Sequence, residues 1–244
     1  WPSSIMGGGN LENNDTALTN KRASICQQFG CSAVRLTLFP PYYYSDYHQE
    51  TLEDRVEENI LRMYQEGIEP IVLFEYYDKY DQPLGEYEKW YQIGRAFATK
   101  YRPGSDFLRS KNIHNWGIRQ YSAINEPGIR NRIPKWRYHD ALKGLANGVH
   151  DIDNSLEVYP GGWASPSSQD DYTRNGYAPA VADLINNEVL DGFCLHIYFD
   201  VEYAPMDGTV KHSAQNNFDK LKEKLKISSD PNFYCDEFNY VARN

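Results

Sequence analysis

The sequence predicts a single parallel α/β domain, with a β/α barrel favoured over a doubly wound open sheet, and three observations lead there. Seven apolar, β-forming runs recur along the 244 residues. Their starts lie about 29 to 50 residues apart with helix-like stretches between them, a spacing that hairpins do not use and crossover connections require. The phosphate turn of an open, doubly wound sheet is absent, because Gly7-Gly8-Gly9 lacks the last glycine of the dinucleotide pattern. No linker, low-complexity tract or short repeat interrupts this rhythm, so residues 1–244 read as one domain of a size common for β/α barrels.

In chain order, Ser4–Gly7 is the first candidate strand and Ala33–Phe39 the second. Thr51-Leu52-Glu53-Asp54 resembles a capping box, after which Leu52, Val56, Ile60 and Met63 recur at helical spacing up to a stop at Gly67. Pro70–Phe74 and Arg119–Ile124 are the third and fourth strands. Pro134 opens a second helix, whose apolar face is read as Trp136, Ala141, Leu142, Leu145 and Val149. Glu157–Gly161 and Gly192–Phe199 follow as strands five and six. Phe218, Leu221 and Leu225 mark a third helix, and Phe233–Phe238 is the seventh strand.

Composition narrows function. A net charge of −9 with no basic run disfavours nucleic acid. The longest apolar stretch, Ile71–Phe74, is far below the ~20 residues of a bilayer helix, so no membrane span is expected. Cys26, Cys31, Cys194 and Cys235 form no Cys-x-x-Cys pair, and neither a His-x-His strand nor a His-Glu-x-x-His helix occurs, so no metal or other cofactor is expected. Serine hydrolysis lacks its Gly-x-Ser-x-Gly elbow. The 20 tyrosines and 5 tryptophans exceed what a core needs and suit a wet cleft that holds an amphipathic ligand.

In a β/α barrel the reactive groups sit where strands end and the following loops begin. Two carboxylates stand there. Glu126 follows the fourth strand in Ile124-Asn125-Glu126-Pro127, and Glu237 ends the seventh in Tyr234-Cys235-Asp236-Glu237. On the sixth strand His196 and Tyr198 are two apart and face one side, as do Cys235 and Glu237 on the seventh. Arg35 stands in the second strand, in Val34-Arg35-Leu36.

This set resembles clan A of the glycoside hydrolases, closest in tone to families 39 and 5. The resemblance implies a (β/α)8 TIM barrel and a retaining O-glycosidase acting on a polysaccharide, with endo action preferred. It implies that Glu126 is the general acid/base, Asn125 the amide that holds the sugar 2-hydroxyl, and Glu237 the nucleophile. Tyr198 and Arg35 would support Glu237, and His196 completes the sixth-strand pair. A retaining enzyme needs its two carboxyl groups roughly 5–5.5 Å apart, one attacking and one protonating the leaving oxygen. Glu126 must then begin protonated while hydrogen bonds from Arg35 and Tyr198 keep Glu237 ionised.

Further expectations are looser. Glu75, Tyr76, Tyr77 and Asp78 after the third strand and Trp163 after the fifth would line sugar subsites, and Tyr42-Tyr43-Tyr44 a binding rim. Cys194 and Cys235 would lie in the layer beneath the site, as a disulfide or as packed thiols, and Cys26 and Cys31 straddle a turn where they could pair locally. A secreted or extracellular setting is expected, and Asn14-Asp15-Thr16 is a glycosylation sequon. After Glu237 only Phe238–Asn244 remain, so the barrel is expected to be incomplete after the seventh strand and closed by a missing segment or a second chain. The clan's tryptophan after an eighth strand has no counterpart, and Glu75-Tyr76 stand where members often carry a histidine. The rival reading is an inactive carbohydrate-binding or assembly protein on a barrel scaffold; a metal-dependent barrel hydrolase is a weaker third.

Overall fold

A computed structural model describes residues 28, 32–38, 49–75, 86–127, 133–163, 176–200, 219 and 221–241, with backbone alone for 49–55, 197–200 and 235–241. Its strands are β1 (Ala33–Leu38), β2 (Glu69–Phe74), β3 (Gln120–Ala123), β4 (Glu157–Pro160), β5 (Gly192–Asp200) and β6 (Asn232–Val241). They are the second to seventh runs read from the sequence; Ser4–Gly7 lies outside the described residues. The helices are α1 (Gln49–Gln65), α2 (Glu86–Tyr101), α3 (Asp106–Ser110), α4 (Lys135–His150), α5 (Tyr177–Ala180), α6 (Ala182–Asn186) and α7 (221–225).

β1 to β4 pair in parallel and in chain order, and β5 pairs in parallel with β6. The two ladders are joined just past β4. The Trp163 N–H donates to Cys194 O at 3.0 Å, the His196 N–H donates to Trp163 O at 2.9 Å, and Trp163 bridges Leu195 in parallel. Six parallel strands therefore follow one another without reversal, the order of a β/α barrel and not of a doubly wound sheet, whose order reverses at a switch point.

Alternation along the strands separates two faces. Val34, Leu36, Val72, Phe74, Tyr121, Ala123, Val158, Phe193 and Leu195 join one core with the helices, to which α2 gives Trp90, Ile93 and Ala98 and α4 gives Ala141, Leu142, Leu145 and Val149. The other face carries Arg35, Thr37, Ser122, Tyr159 and His196, the mixed polar lining expected toward a barrel axis. Burying the apolar face at about 25 cal/mol per Å² drives the closure of helices on sheet.

Three local expectations are adjusted. α1 starts at Gln49, so Thr51 lies inside the first turn and not at the cap, while Gly67, at φ 68°, ends the helix as read. Pro134 is the N-cap of α4. Trp136 is 63% exposed and not on the buried face, because its five-residue offset from Ala141 turns it well away from the Ala141–Leu145 stripe. Leu221 and Leu225 are buried as expected; Phe218 lies outside the described residues. Among the described residues no helix is long and apolar enough to cross a membrane.

Candidate active site

The rim of the sheet is built from the end of β3. The Ser122 hydroxyl donates to Val72 O at 3.1 Å and the Ile124 N–H to Phe74 O at 2.8 Å, which carries the β2–β3 ladder to its last rung. The chain then leaves strand geometry: Ile124 has φ 66° and Glu126 φ 43°. Left-handed backbone costs a residue with a Cβ roughly 1–2 kcal/mol, and more discomfort when it is β-branched. The turn is held because Ile124, Asn125, Glu126 and Pro127 are all buried and the Glu126 N–H donates to Gly162 O at 3.0 Å. Strain held at a rim and paid for by surrounding packing is a common mark of a functional site.

Glu126 meets His196 there. The His196 Nδ1 lies 2.8 Å from Glu126 Oε1, with the imidazole fully buried and the carboxylate 8% exposed. On the other side of the ring, Arg35 Nη1 is 3.5 Å from Nε2. A guanidinium has donors only, so Nε2 is assigned as the unprotonated nitrogen and Nδ1–H donates to Glu126. The result is a buried carboxyl oriented by an imidazole N–H, with a cation behind the ring. Such a group is suited to exchanging a proton with something bound at the rim.

Glu237 and Tyr198 enter through backbone register. His196 pairs with Glu237 and Tyr198 with Asn239, so Glu237 stands on β6 level with the histidine that holds Glu126. Below that level the register shifts: Cys194 pairs with Tyr234, not Cys235. One extra residue in β6 breaks the two-residue alternation. Cys235 therefore does not share the level of buried Cys194, which corrects the expectation of two cysteines in one layer. Tyr234 occupies that level, its ring stacked on Tyr159 at 5.8 Å.

Trp163 is corrected as well. It is fully buried among the helix-facing residues, its indole N–H donates to Tyr138 Oη at 2.8 Å, and its ring lies 5.8 Å from that of Phe193. Gly162 faces the His196 ring, and Trp163 one residue on is directed to the helix layer, so it offers no ring face to a sugar. Arg35, His196 and Glu126 lie together, and Asn125 is buried beside Glu126 in the turn. Glu75 follows β2, half-buried, its N–H donating to Leu38 O at 2.8 Å. Tyr76, Tyr77, Asp78, Tyr42, Tyr43, Tyr44, Cys26, Cys31 and the Asn14 sequon lie outside the described residues. Sequence reasoning passed over Gly161 and Gly162, though two glycines closing a strand signal a close backbone approach. Among the described residues no group of three or more His, Cys, Asp or Glu side chains is placed to hold a metal ion.

Fold and site together define a parallel β/α-barrel protein with a buried Glu–His pair on the strand-end rim. No protein-family model matches the chain, and no curated protein does. Solved structures do, glycoside hydrolases among them. A glucosidase from Croceicoccus marinus superposes with TM-score 0.63 at 12% identity, over 91% of this chain and 48% of its own. A bacterial orthologue of human α-L-iduronidase gives 0.57 at 15%, over 88% and 38%. Cel5A of Thermotoga maritima, solved with mannotriose, gives 0.52 at 16%, over 96% and 79%. The chain thus has the fold of the clan A glycoside hydrolases, the family it resembles in sequence, and it spans about half or less of the length of the first two.

Proposed function

We propose that the chain carries the catalytic centre of a retaining glycoside hydrolase, within a (β/α)8 barrel, that cleaves O-glycosidic bonds of an oligo- or polysaccharide, by preference internally and outside the cell. Glu237 attacks the anomeric carbon and displaces the leaving oxygen, which takes its proton from Glu126. The covalent glycosyl-enzyme then opens to a water from which Glu126 withdraws a proton, so the anomeric configuration is retained. His196 orients the Glu126 carboxyl through Oε1. Asn125 holds the 2-hydroxyl, Arg35 and Tyr198 support Glu237, and Glu75 and Tyr76 border the subsites. The mechanism needs no metal or other cofactor.

The observation that carries this reading is the register of β5 on β6, with Glu237 opposite His196, whose ring is bonded to Glu126. The oligosaccharide substrate is supported by the shared fold of the enzyme solved with mannotriose. The test is reducing-sugar release from a panel of plant, algal and bacterial polysaccharides, with Glu237→Gln as the blank and proton NMR of the first product. Turnover that disappears in Glu237→Gln and yields the retained anomer is expected. In Glu126→Gln, only substrates with good leaving groups should still react. Natural-glycan turnover at the wild-type rate in either variant, or an inverted product, overturns the assignment. Sugar binding without any turnover turns the reading to a carbohydrate-binding barrel.

A further inference from the structure

The Glu126–His196 bond joins side chains of strands that are not neighbours. β3 and β5 are separated by the end of β4. Strands lie about 4.8 Å apart, so the two are roughly 10 Å apart and a side-chain bond between them must pass over the strand in the middle. Backbone hydrogen bonds identify what it passes over: the Glu126 N–H donates to Gly162 O, and the His196 N–H to Trp163 O, the next carbonyl along.

At that point the middle strand has no side chains. A Cβ built on Gly162 would overlap His196 Nε2 outright and come within 2.5 Å of Cδ2 and 2.8 Å of Cε1. Gly162 also has φ 91°, which residues with a Cβ rarely adopt. One residue earlier, a Cβ on Gly161 would lie 2.5 Å from Ala123 O and 2.6 Å from the carbonyl of Ile124, the residue that begins the turn toward Glu126. The three nearest atoms to the missing Gly162 side chain are thus all of the imidazole, and the acid is anchored to Gly162's own carbonyl.

We infer that Gly162 is the positioning residue of the Glu126–His196 pair: its bare Cα is the space through which the imidazole crosses β4 to reach the acid. The catalytic consequence rests on the reading of Glu126 as general acid/base; the geometric part does not.

The test uses the full chain with four variants: Gly162→Ala, His196→Ala, the two combined, and Gly67→Ala. Gly67 has φ 68° and nothing within 4 Å of a built Cβ, so its variant carries the backbone strain without the collision. With ¹⁵N-labelled histidine, of which the chain has 6, the protected Nδ1–H resonance that His196→Ala removes should also vanish in Gly162→Ala and persist in Gly67→Ala. Gly162→Ala should melt lower than Gly67→Ala, and removing the His196 ring in the double variant should restore that difference. If Gly162→Ala does not fold, the double variant decides: melting near His196→Ala supports the inference, and failure to fold overturns it. An Nδ1–H signal that survives in Gly162→Ala also overturns it.

On glycosides with poor leaving groups, Gly162→Ala should lower kcat about 100-fold with KM within a few-fold, spare activated aryl glycosides and flatten the acid–base limb of the pH profile. An unchanged kcat with the resonance lost overturns the catalytic part. If the resonance and melting results hold while the wild type turns over no glycoside, the positioning role stands and the glycosidase reading falls.

Discussion

Replacing Trp163 by Phe separates a core residue from a sugar platform. The indole is fully buried and donates to Tyr138 Oη at 2.8 Å, beside Phe193. The substitution takes a donor away from a buried hydroxyl, which costs about 1–2 kcal/mol. It also leaves part of the indole's volume empty, for about another 1–2 kcal/mol. A loss of about 3 kcal/mol lowers the melting temperature of a chain this long by about 6–12 °C. Tyr138→Phe removes the acceptor instead, and the double variant should cost at least about 1 kcal/mol less than the two singles added, because neither partner is then left alone. The assay is thermal melting of all four proteins by circular dichroism, with calorimetric binding of oligosaccharides at a temperature where each is folded. Affinity should stay within twofold. A Trp163→Phe protein that melts within 2 °C of wild type but binds sugar tenfold more weakly would refute the placement of this ring in the helix layer.

Three other outcomes are expected. At the start of α2, Glu86 is a buried carboxylate on which Lys89 Nζ (3.2 Å), Trp90 Nε1 (3.1 Å) and Arg137 Nε (3.4 Å) converge; Glu86→Gln should cost about 3 kcal/mol in a denaturant titration, and Glu86→Leu with Lys89→Met should recover most of it. Burial pushes the Tyr121 and Tyr159 phenols up from their ordinary value, with Glu157 adding to the rise at Tyr159; since unfolding lets both ionise near pH 10, their contribution is complete below that pH and declines above it, so absorbance at 295 nm should show them ionising only as the chain unfolds. Hydrogen bonds from the Ser155 hydroxyl and amide, with Arg102 nearby, hold the Asp153 carboxyl below its usual range; its contribution is present above the ordinary carboxylate pKa and lost as pH falls through the lowered one, so in Ser155→Ala the NMR titration of Asp153 should move to higher pH.

The strands were legible because apolar β-forming runs reach the helix layer on alternate residues, and β1 to β6 coincide with runs read from the sequence to within a few residues. α2 was less legible: Tyr87, Tyr91 and Gly94 keep helical spacing beside Trp90 and Ile93, but a stripe carried by tyrosine and glycine gives a weaker apolar signal than an aliphatic one. At the site, the residue types at the strand ends were readable, but their geometry was not. The bulge in β6 depends on pairing with β5, so nothing in Phe233–Phe238 alone distinguishes Tyr234 from Cys235 as the partner of Cys194. The face of Trp163 is not legible in the sequence, because an aromatic after a strand can point either way and the left-handed Gly162 before it sets the direction.

The Glu126–His196 bond also bears on architecture. In a flat sheet the side chains of β3 and β5 leave one face in parallel, and a histidine and a glutamate rooted roughly 10 Å apart would have to lean over a full strand to meet. In a sheet curved about an axis, side chains on the inner face converge, and a glycine in the intervening strand lets the ring take the short path. A separation of 2.8 Å between Nδ1 and Oε1 over Gly162 is what curvature and a missing Cβ produce together. The unreversed order of six parallel strands requires the same curvature, since successive strands added on one side with helices on the outer face wrap toward closure. The Glu126–His196 bond is therefore a consequence of the sheet's curvature: flatten the sheet between β3 and β5, and Glu126 loses the imidazole that orients it.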